Sequence, residues 1–215
     1  MAKFVGHHAD VVALQEITVG QVDGWCTLLS TAGYDNVVRG VGYGATGGAL
    51  LASRLPISAV QLHRSAEAGP RVAAGVVGGI AVASVYFPTG TGTNGWSSLY
   101  DNLMLNPITP EFILIGDFQM VVAENEISSG TFPRWRRDPS FVAMQGMLRH
   151  WRDAFRTVHG AERIAYSRRH NSGAHWLNDH AFVPPALHIS DCDIDWSPIE
   201  EGLSDHAMLS LDIEP

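Results

Sequence analysis

Two apolar runs, "PRVAAGVV" at residues 70 to 77 and "IAVASVYF" at 80 to 87, are joined by Gly78-Gly79 alone. A two-residue link turns the chain back at once, and glycines suit it because both turn positions take positive φ without a Cβ penalty. The β-branched residues on either side favour the extended pleat. The middle of the chain is therefore committed to antiparallel sheet. Other short runs extend the pattern: "DVVALQEI" (10 to 17), "GGALLASRLPI" (47 to 57), Phe112-Ile113-Leu114-Ile115, and the closing "HAFVPP" and "HAMLSLDI". Each has the length of a strand and a turn signal at its edge.

Helical signals alternate with these strands. Residues 21 to 33 read as a short helix stopped by Gly33, and residues 97 to 105 as another. The clearest helix is 138 to 158, where Asp138-Pro139 suits the N-terminus and Phe141, Met144, Leu148, Trp151 and Phe155 recur at helical spacing, with Gly146 a possible break. Residues 88 to 96, rich in glycine and threonine, read as loop. With 215 residues and 46% hydrophobic content, the chain is expected to form one α/β domain spanning 1 to 215, its sheets covered by outer helices.

No run of 18 apolar residues is present, and the first residues lack a signal-peptide pattern, so a cytoplasmic protein is expected. Cys26 and Cys192 show no paired spacing and read as reduced thiols. The formal charge of −8 argues against bulk coating of nucleic acid. Yet residues 134 to 169 hold nine arginines against three acids, leaving the remainder strongly acidic. That asymmetry fits carboxylates that hold metal with arginines that meet phosphate, and equally fits a solvated helix face.

Several acids share one placement. Glu16, Asp117 and Asp205 sit where apolar runs meet loops, and Asp179 immediately precedes another run. If those strands lie together, their polar ends converge on one rim, where the carboxylates would repel unless protonated or neutralised by a cation. A divalent metal is the simplest remedy. Read singly, Asp117 starts a turn, Glu16 caps a following helix, and Asp205-His206 is a turn.

Six segments, in order, resemble the endonuclease/exonuclease/phosphatase superfamily. "DVVALQEI" is similar to its metal-binding Gln-Glu strand, "GGALLASRLPI" to its Ser-Arg-x-Pro-Ile hairpin and "VYFPTG" to its Tyr-x-Pro segment. "LIGDFQ" resembles Gly-Asp-Phe-Asn, "LNDHAFVPPAL" the Arg-Ile-Asp-His strand, and "GLSDHAML" the terminal Ser-Asp-His motif. The resemblance implies a four-layer α/β sandwich, two mainly antiparallel sheets face to face with helices outside, and Mg²⁺- or Mn²⁺-dependent phosphoester hydrolysis. It implies Glu16 and Asp205 as metal ligands, Asp117 as the group that orients or deprotonates the attacking water, and His206 as donor to a phosphate oxygen. Asp179 would orient His206. Tyr86 would donate to the phosphate or stay close to its leaving oxygen, and Gln119, in the place of the family's asparagine, would reach the phosphate only with a shift of backbone or substrate.

The pattern also departs from the family. The strand ending in asparagine that normally precedes the Gln-Glu strand is not found in the nine residues before Asp10, which contain no asparagine. Either the chain is a truncation or it manages without that strand, which would leave a sheet edge exposed and open to pairing with a second copy. Leu177-Asn178-Asp179 keeps the carboxylate of its motif but loses a nearby cation, and Gln119 replaces asparagine with an amide one methylene further out. Nucleic acid is the favoured substrate, on the Tyr-x-Pro form and the arginine-rich segment, within which "FPRWRR" (132 to 137) could stack on bases. The alternatives are a small-molecule phosphatase or phosphodiesterase and a catalytically weakened relative that binds nucleic acid or protein. The histidines at 7, 8, 170, 175, 180 and 188 show no zinc spacing and read as surface residues. "GYGATGG" (42 to 48) lacks the ending of a phosphate loop.

Overall fold

The computed structural model describes residues 9–40, 47–62, 71–87, 99–101, 103–104, 108, 111–128 and 139–214. They fall into two compact units, one comprising the chain to Phe87 with Asp101–Gly116, the other Pro88–Tyr100 with Asp117 onward. The expected loop at 88 to 96, "FPRWRR" and most of "GYGATGG" lie outside the described residues; of the helix expected at 97 to 105, residues 99–101 and 103–104 are described and are helical.

In the first unit, β1 (Val11–Ile17), β2 (Asn36–Gly40) and β3 (Gly48–Ser53) form an antiparallel sheet in the order β1-β3-β2. Strands β4 (Ile57–Val60), β5 (Val72–Val77), β6 (Ile80–Tyr86) and β7 (Ile113–Asp117) run side by side in chain order. The hairpin read from Gly78-Gly79 is present, with Val77 opposite Ile80 and φ of 58° and 85° at the glycines. Strand β3 packs on β5 and β6, and β1 on β6, so two sheets face each other within this unit.

Every residue of β3 is buried because its other face is covered as well. Helix α1 (Val22–Thr31) supplies that cover: Val22 and Leu29 join Leu14, Ile17, Tyr34, Leu50 and Ala52 in one apolar cluster. A strand with both faces covered needs a continuous apolar run, which explains the composition of "GALLAS". Truncating Leu50, fully buried here, would cost about 2–5 kcal/mol.

In the second unit, β8 (Arg152–Asp153) pairs antiparallel with β11 (Asp179–Val183), β9 (Arg168–Arg169) with β10 (His175–Trp176), and β12 (His188–Asp195) with β13 (Met208–Glu214). The helix expected over 138 to 158 is instead two helices, α2 (Pro139–Met147) and α3 (Ala154–His159), with β8 between them. Asp153 explains the interruption. Its backbone is committed to Phe182 of β11, and its side chain accepts the Arg156 N–H, which caps a new helix. A last short helix, α4 (Ser197–Glu200), precedes β13. Strand β12 was not anticipated, because Asp191, Asp193 and Asp195 break its apolar pattern.

Two buried polar pairs support this unit. Glu126, fully buried, binds Arg156 at 2.6 Å and accepts the Ala123 N–H at 3.0 Å. His180 corrects the surface reading of the histidines: it is buried between Asp153 at 3.0 Å and the Met120 carbonyl at 3.0 Å. Burial alone would lower its pKa, but Asp153 and Glu126 outweigh that and hold it near 9. Cys26 and Cys192 are free thiols, as expected.

Candidate active site

In the first unit, the pairing of β1 with β3 shifts between Leu14 and Ile17, leaving one extra residue on β1 at Gln15-Glu16. Bulges of this kind re-aim side chains next to functional sites. Glu16 takes a φ of 60°, rare for a residue with a Cβ, and its carboxylate is exposed. The neighbouring backbone leaves no choice at Gly47, where a Cβ would lie 2.5 Å from the Glu16 Cα. The Tyr86 hydroxyl donates to Glu16 Oε1 at 3.1 Å, so two of the expected site residues are in contact. Gln15 donates to Ser84 Oγ at 2.9 Å, which in turn donates to the Leu14 carbonyl. Gly116 is equally constrained, since a Cβ would lie 2.8 Å from the Gln15 amide nitrogen and 2.1 Å from the Val85 carbonyl. The glycine of "LIGDF" is there to let β7 pass the Gln-Glu bulge.

The second unit gathers Asp117, Gln119, Asp179, Asp205 and His206. Asp117, 2% exposed, accepts the Gln119 N–H at Oδ1 (2.8 Å) and the Gln119 amide nitrogen at Oδ2. Gln119 takes a φ of 51°; it and Glu16 are the non-glycine residues of positive φ among the described residues. Burial, reinforced by repulsion from Asp179, raises the Asp117 pKa from 3.8 to about 7, although His206, the Gln119 N–H and Arg168 pull it down. A carboxylate titrating near neutrality can take a proton and release it again.

Asp179 accepts at Oδ2 from both the Ser167 hydroxyl (2.6 Å) and His206 Nδ1 (2.8 Å). Burial alone would lower the His206 pKa, but Asp179 and Asp117 raise it to about 9, so the ring is a cation at neutral pH. With Nδ1 committed to Asp179, its Nε2 is buried and has no hydrogen-bond partner among the described residues. Such a donor is costly to bury unsatisfied and marks a place for an acceptor.

Ser167 and Arg168 were not singled out from the sequence as site residues. Ser167 also accepts the N–H groups of Asn178 and Asp179 at 3.1 and 3.0 Å, which fixes the carboxylate that holds His206. Arg168 pairs across the backbone with His206, donates through Nη1 to Gln119 Oε1 at 3.1 Å, and stands 3.6 Å from Asp205. The Leu177-Asn178-Asp179 motif itself carries no cation; the one in this group, Arg168, comes from another strand and acts on Asp117 and His206. Asp205 itself is 59% exposed at its side chain, free to meet a ligand.

A family profile for the endonuclease/exonuclease/phosphatase family matches residues 2–206. The chain belongs to that family. Its members hydrolyse phosphoesters, which makes this chain a phosphoesterase by family. Among solved structures it is similar to the 3′ phosphatase NExo from Neisseria bound to product DNA hairpin, at 20% identity and a TM-score of 0.83, covering 100% of this chain and 93% of that one. It is similar also to an AP endonuclease from Archaeoglobus fulgidus (20% identity, TM-score 0.81, 100% and 92% covered). A third is the 3′-5′ exonuclease NExo from Neisseria meningitidis (19%, 0.81, 100% and 93%). At these identities the likeness establishes the α/β sandwich fold. Comparison with curated proteins gave no match.

Proposed function

We propose that the chain is a divalent-metal-dependent phosphodiesterase that hydrolyses phosphoester bonds in nucleic acid. One observation carries the reading: a buried base near pKa 7, Asp117, in the same electrostatic group as an Asp179-held His206 cation with an unspent Nε2–H. Asp117 takes a proton from the attacking water, and His206 donates to the phosphate oxygen on which charge develops. Ser167 and Asp179 keep the imidazole turned and charged. Tyr86 adds a hydroxyl donor.

The donor set fits a hard cation. Glu16 and Asp205 are exposed carboxylates, and Mg²⁺ or Mn²⁺ binds a few carboxylate oxygens while keeping sites for water and phosphate. When bound, the metal neutralises charge on the reacting phosphate. The nucleic-acid assignment is supported by the arginine-rich segment and by the described ligand and activities of the structural neighbours, a DNA hairpin product, AP endonuclease and 3′-5′ exonuclease.

Purified protein should be incubated with plasmid, abasic-site duplex, 3′-phosphate-ended duplex and a generic phosphodiester ester, each with Mg²⁺, Mn²⁺ or EDTA. Turnover of a nucleic-acid substrate that EDTA abolishes, and that Asp117→Ala and Glu16→Gln reduce, is expected. Turnover confined to the small ester refutes the substrate, and no turnover with either metal refutes the enzyme.

A further inference from the structure

Arg168 is an odd residue to find beside Asp117. Its strand partner relation to His206 places the backbone, but the side chain is held separately, by one hydrogen bond to Gln119 and a long approach to Asp205. The Asp205 contact, at 3.6 Å to a largely exposed carboxylate, contributes little to stability. A guanidinium has five N–H donors in a rigid fork. Here one is spent on Gln119, and Nε is buried with no hydrogen-bond partner among the described residues. The cation is thus partly desolvated, with 21% of its side chain exposed. Two unspent buried donors, Arg168 Nε and His206 Nε2, stand on residues paired across the backbone. Both are donors of the kind that an oxyanion accepts.

We propose that Arg168 binds the reacting phosphate of the substrate, and that Gln119 is the residue that positions it. This rests on the phosphoesterase reading and deepens it. Gln119 replaces asparagine for a physical reason under this assignment. Its longer arm lets one amide grip Asp117 through nitrogen and Arg168 through oxygen, so base and phosphate clamp share one strut. The φ of 51° at Gln119 shows that its backbone is held where few side-chain-bearing residues settle. Arg168 therefore acts on the substrate directly, whereas Gln119 acts through Arg168 and Asp117.

The test is steady-state kinetics on whichever phosphoester the wild type turns over, with competition by inorganic phosphate as a second readout. Arg168→Ala should lower kcat/KM on the order of 10- to 100-fold and weaken phosphate inhibition by a similar factor, and added guanidinium should recover part of the loss. Arg168→Lys should fall between, keeping charge but losing the fork. Gln119→Ala should lower kcat/KM in the wild-type background but add little once Arg168 is alanine, the non-additivity of a residue acting through another. Arg169→Ala, whose guanidinium stands over Trp196, should leave the kinetics unchanged. Unaltered kcat/KM and phosphate inhibition in Arg168→Ala would overturn the proposal, as would an equal loss in Arg169→Ala, which would indicate only general attraction. If the wild type turns over nothing, the functional reading fails; phosphate titration of the folded wild type and Arg168→Ala by calorimetry then still decides whether Arg168 binds phosphate.

Discussion

Replacing Asp117 by asparagine should abolish turnover and, without metal, make the fold sturdier at alkaline pH. Asp117 is lifted from 3.8 to about 7 by burial and by Asp179. A folded-state pKa above the unfolded one means that the native state prefers the neutral carboxyl. The stability this preference confers is fully present below about pH 4 and is lost as pH rises towards 7. At about 1.4 kcal/mol per unit, three units set an upper limit near 4 kcal/mol on what the ionised form costs. Asparagine escapes that cost but brings one of its own. Its Oδ1 keeps the Gln119 N–H, while its amide nitrogen meets the Gln119 side-chain nitrogen, donor against donor, at roughly 1–3 kcal/mol. The net expectation is a variant about 1–3 kcal/mol more stable than wild type near pH 8 and no more stable near pH 5. Urea unfolding in EDTA at both pH values measures it. A stability difference that does not change between them would refute the claim that Asp117 is held neutral by its surroundings.

Three further outcomes follow from the same geometry. Ser167→Ala removes a donor to Asp179 and strands the N–H groups of Asn178 and Asp179; it should cost about 1–3 kcal/mol in urea unfolding and shift the alkaline limb of the pH–rate profile downward, because His206 loses its fixed partner. Arg156→Ala leaves the fully buried Glu126 unpaired and should destabilise the fold by about 3–5 kcal/mol, with Glu126→Gln/Arg156→Met recovering part of it. His180, held near 9 by Asp153, contributes stability that is complete below about pH 6.5 and lost as pH rises through 9, so His180→Gln should flatten that part of the stability–pH curve.

How much of this was legible in the sequence depends on whether a residue's role is local. The hairpin at Gly78-Gly79 was readable because a two-residue turn dictates its own geometry. Glu16, Asp117, Asp179, Asp205 and His206 could be picked out as candidates because each ends or begins an apolar run, and strand ends are where chains leave the core. Residues 138 to 158 carry helical spacing throughout, yet Asp153 must pair with β11, a partner 29 positions away, and that contact breaks the helix. His180 sits one residue beyond Asp179 on the same strand, so alternation turns it to the opposite face; its burial depends on Asp153 and Met120, which the local sequence does not reveal. Ser167 and Arg168 carry no motif at all. Their membership in the site is created by the register that sets Arg168 opposite His206, which exists only once the fold has formed.

The bulge at Glu16 offers the sharpest separation of function from stability. A left-handed backbone costs a residue with a Cβ about 1–2 kcal/mol, and glycine escapes that cost. At an ordinary strand position alanine is the better residue by roughly 0.5–1 kcal/mol. Glu16→Ala and Glu16→Gly both lose the carboxylate and the Tyr86 contact, so comparing the two isolates the backbone. With φ at 60°, the ordinary order should reverse, glycine exceeding alanine by about 1 kcal/mol in urea unfolding while neither variant supports metal-dependent turnover. Alanine equal to or better than glycine would mean that Glu16 is not held in this conformation in solution. The reversed order would show why a glutamate persists where glycine folds better: the extra residue on β1 exists to present a carboxylate, and the strand bears the strain of presenting it.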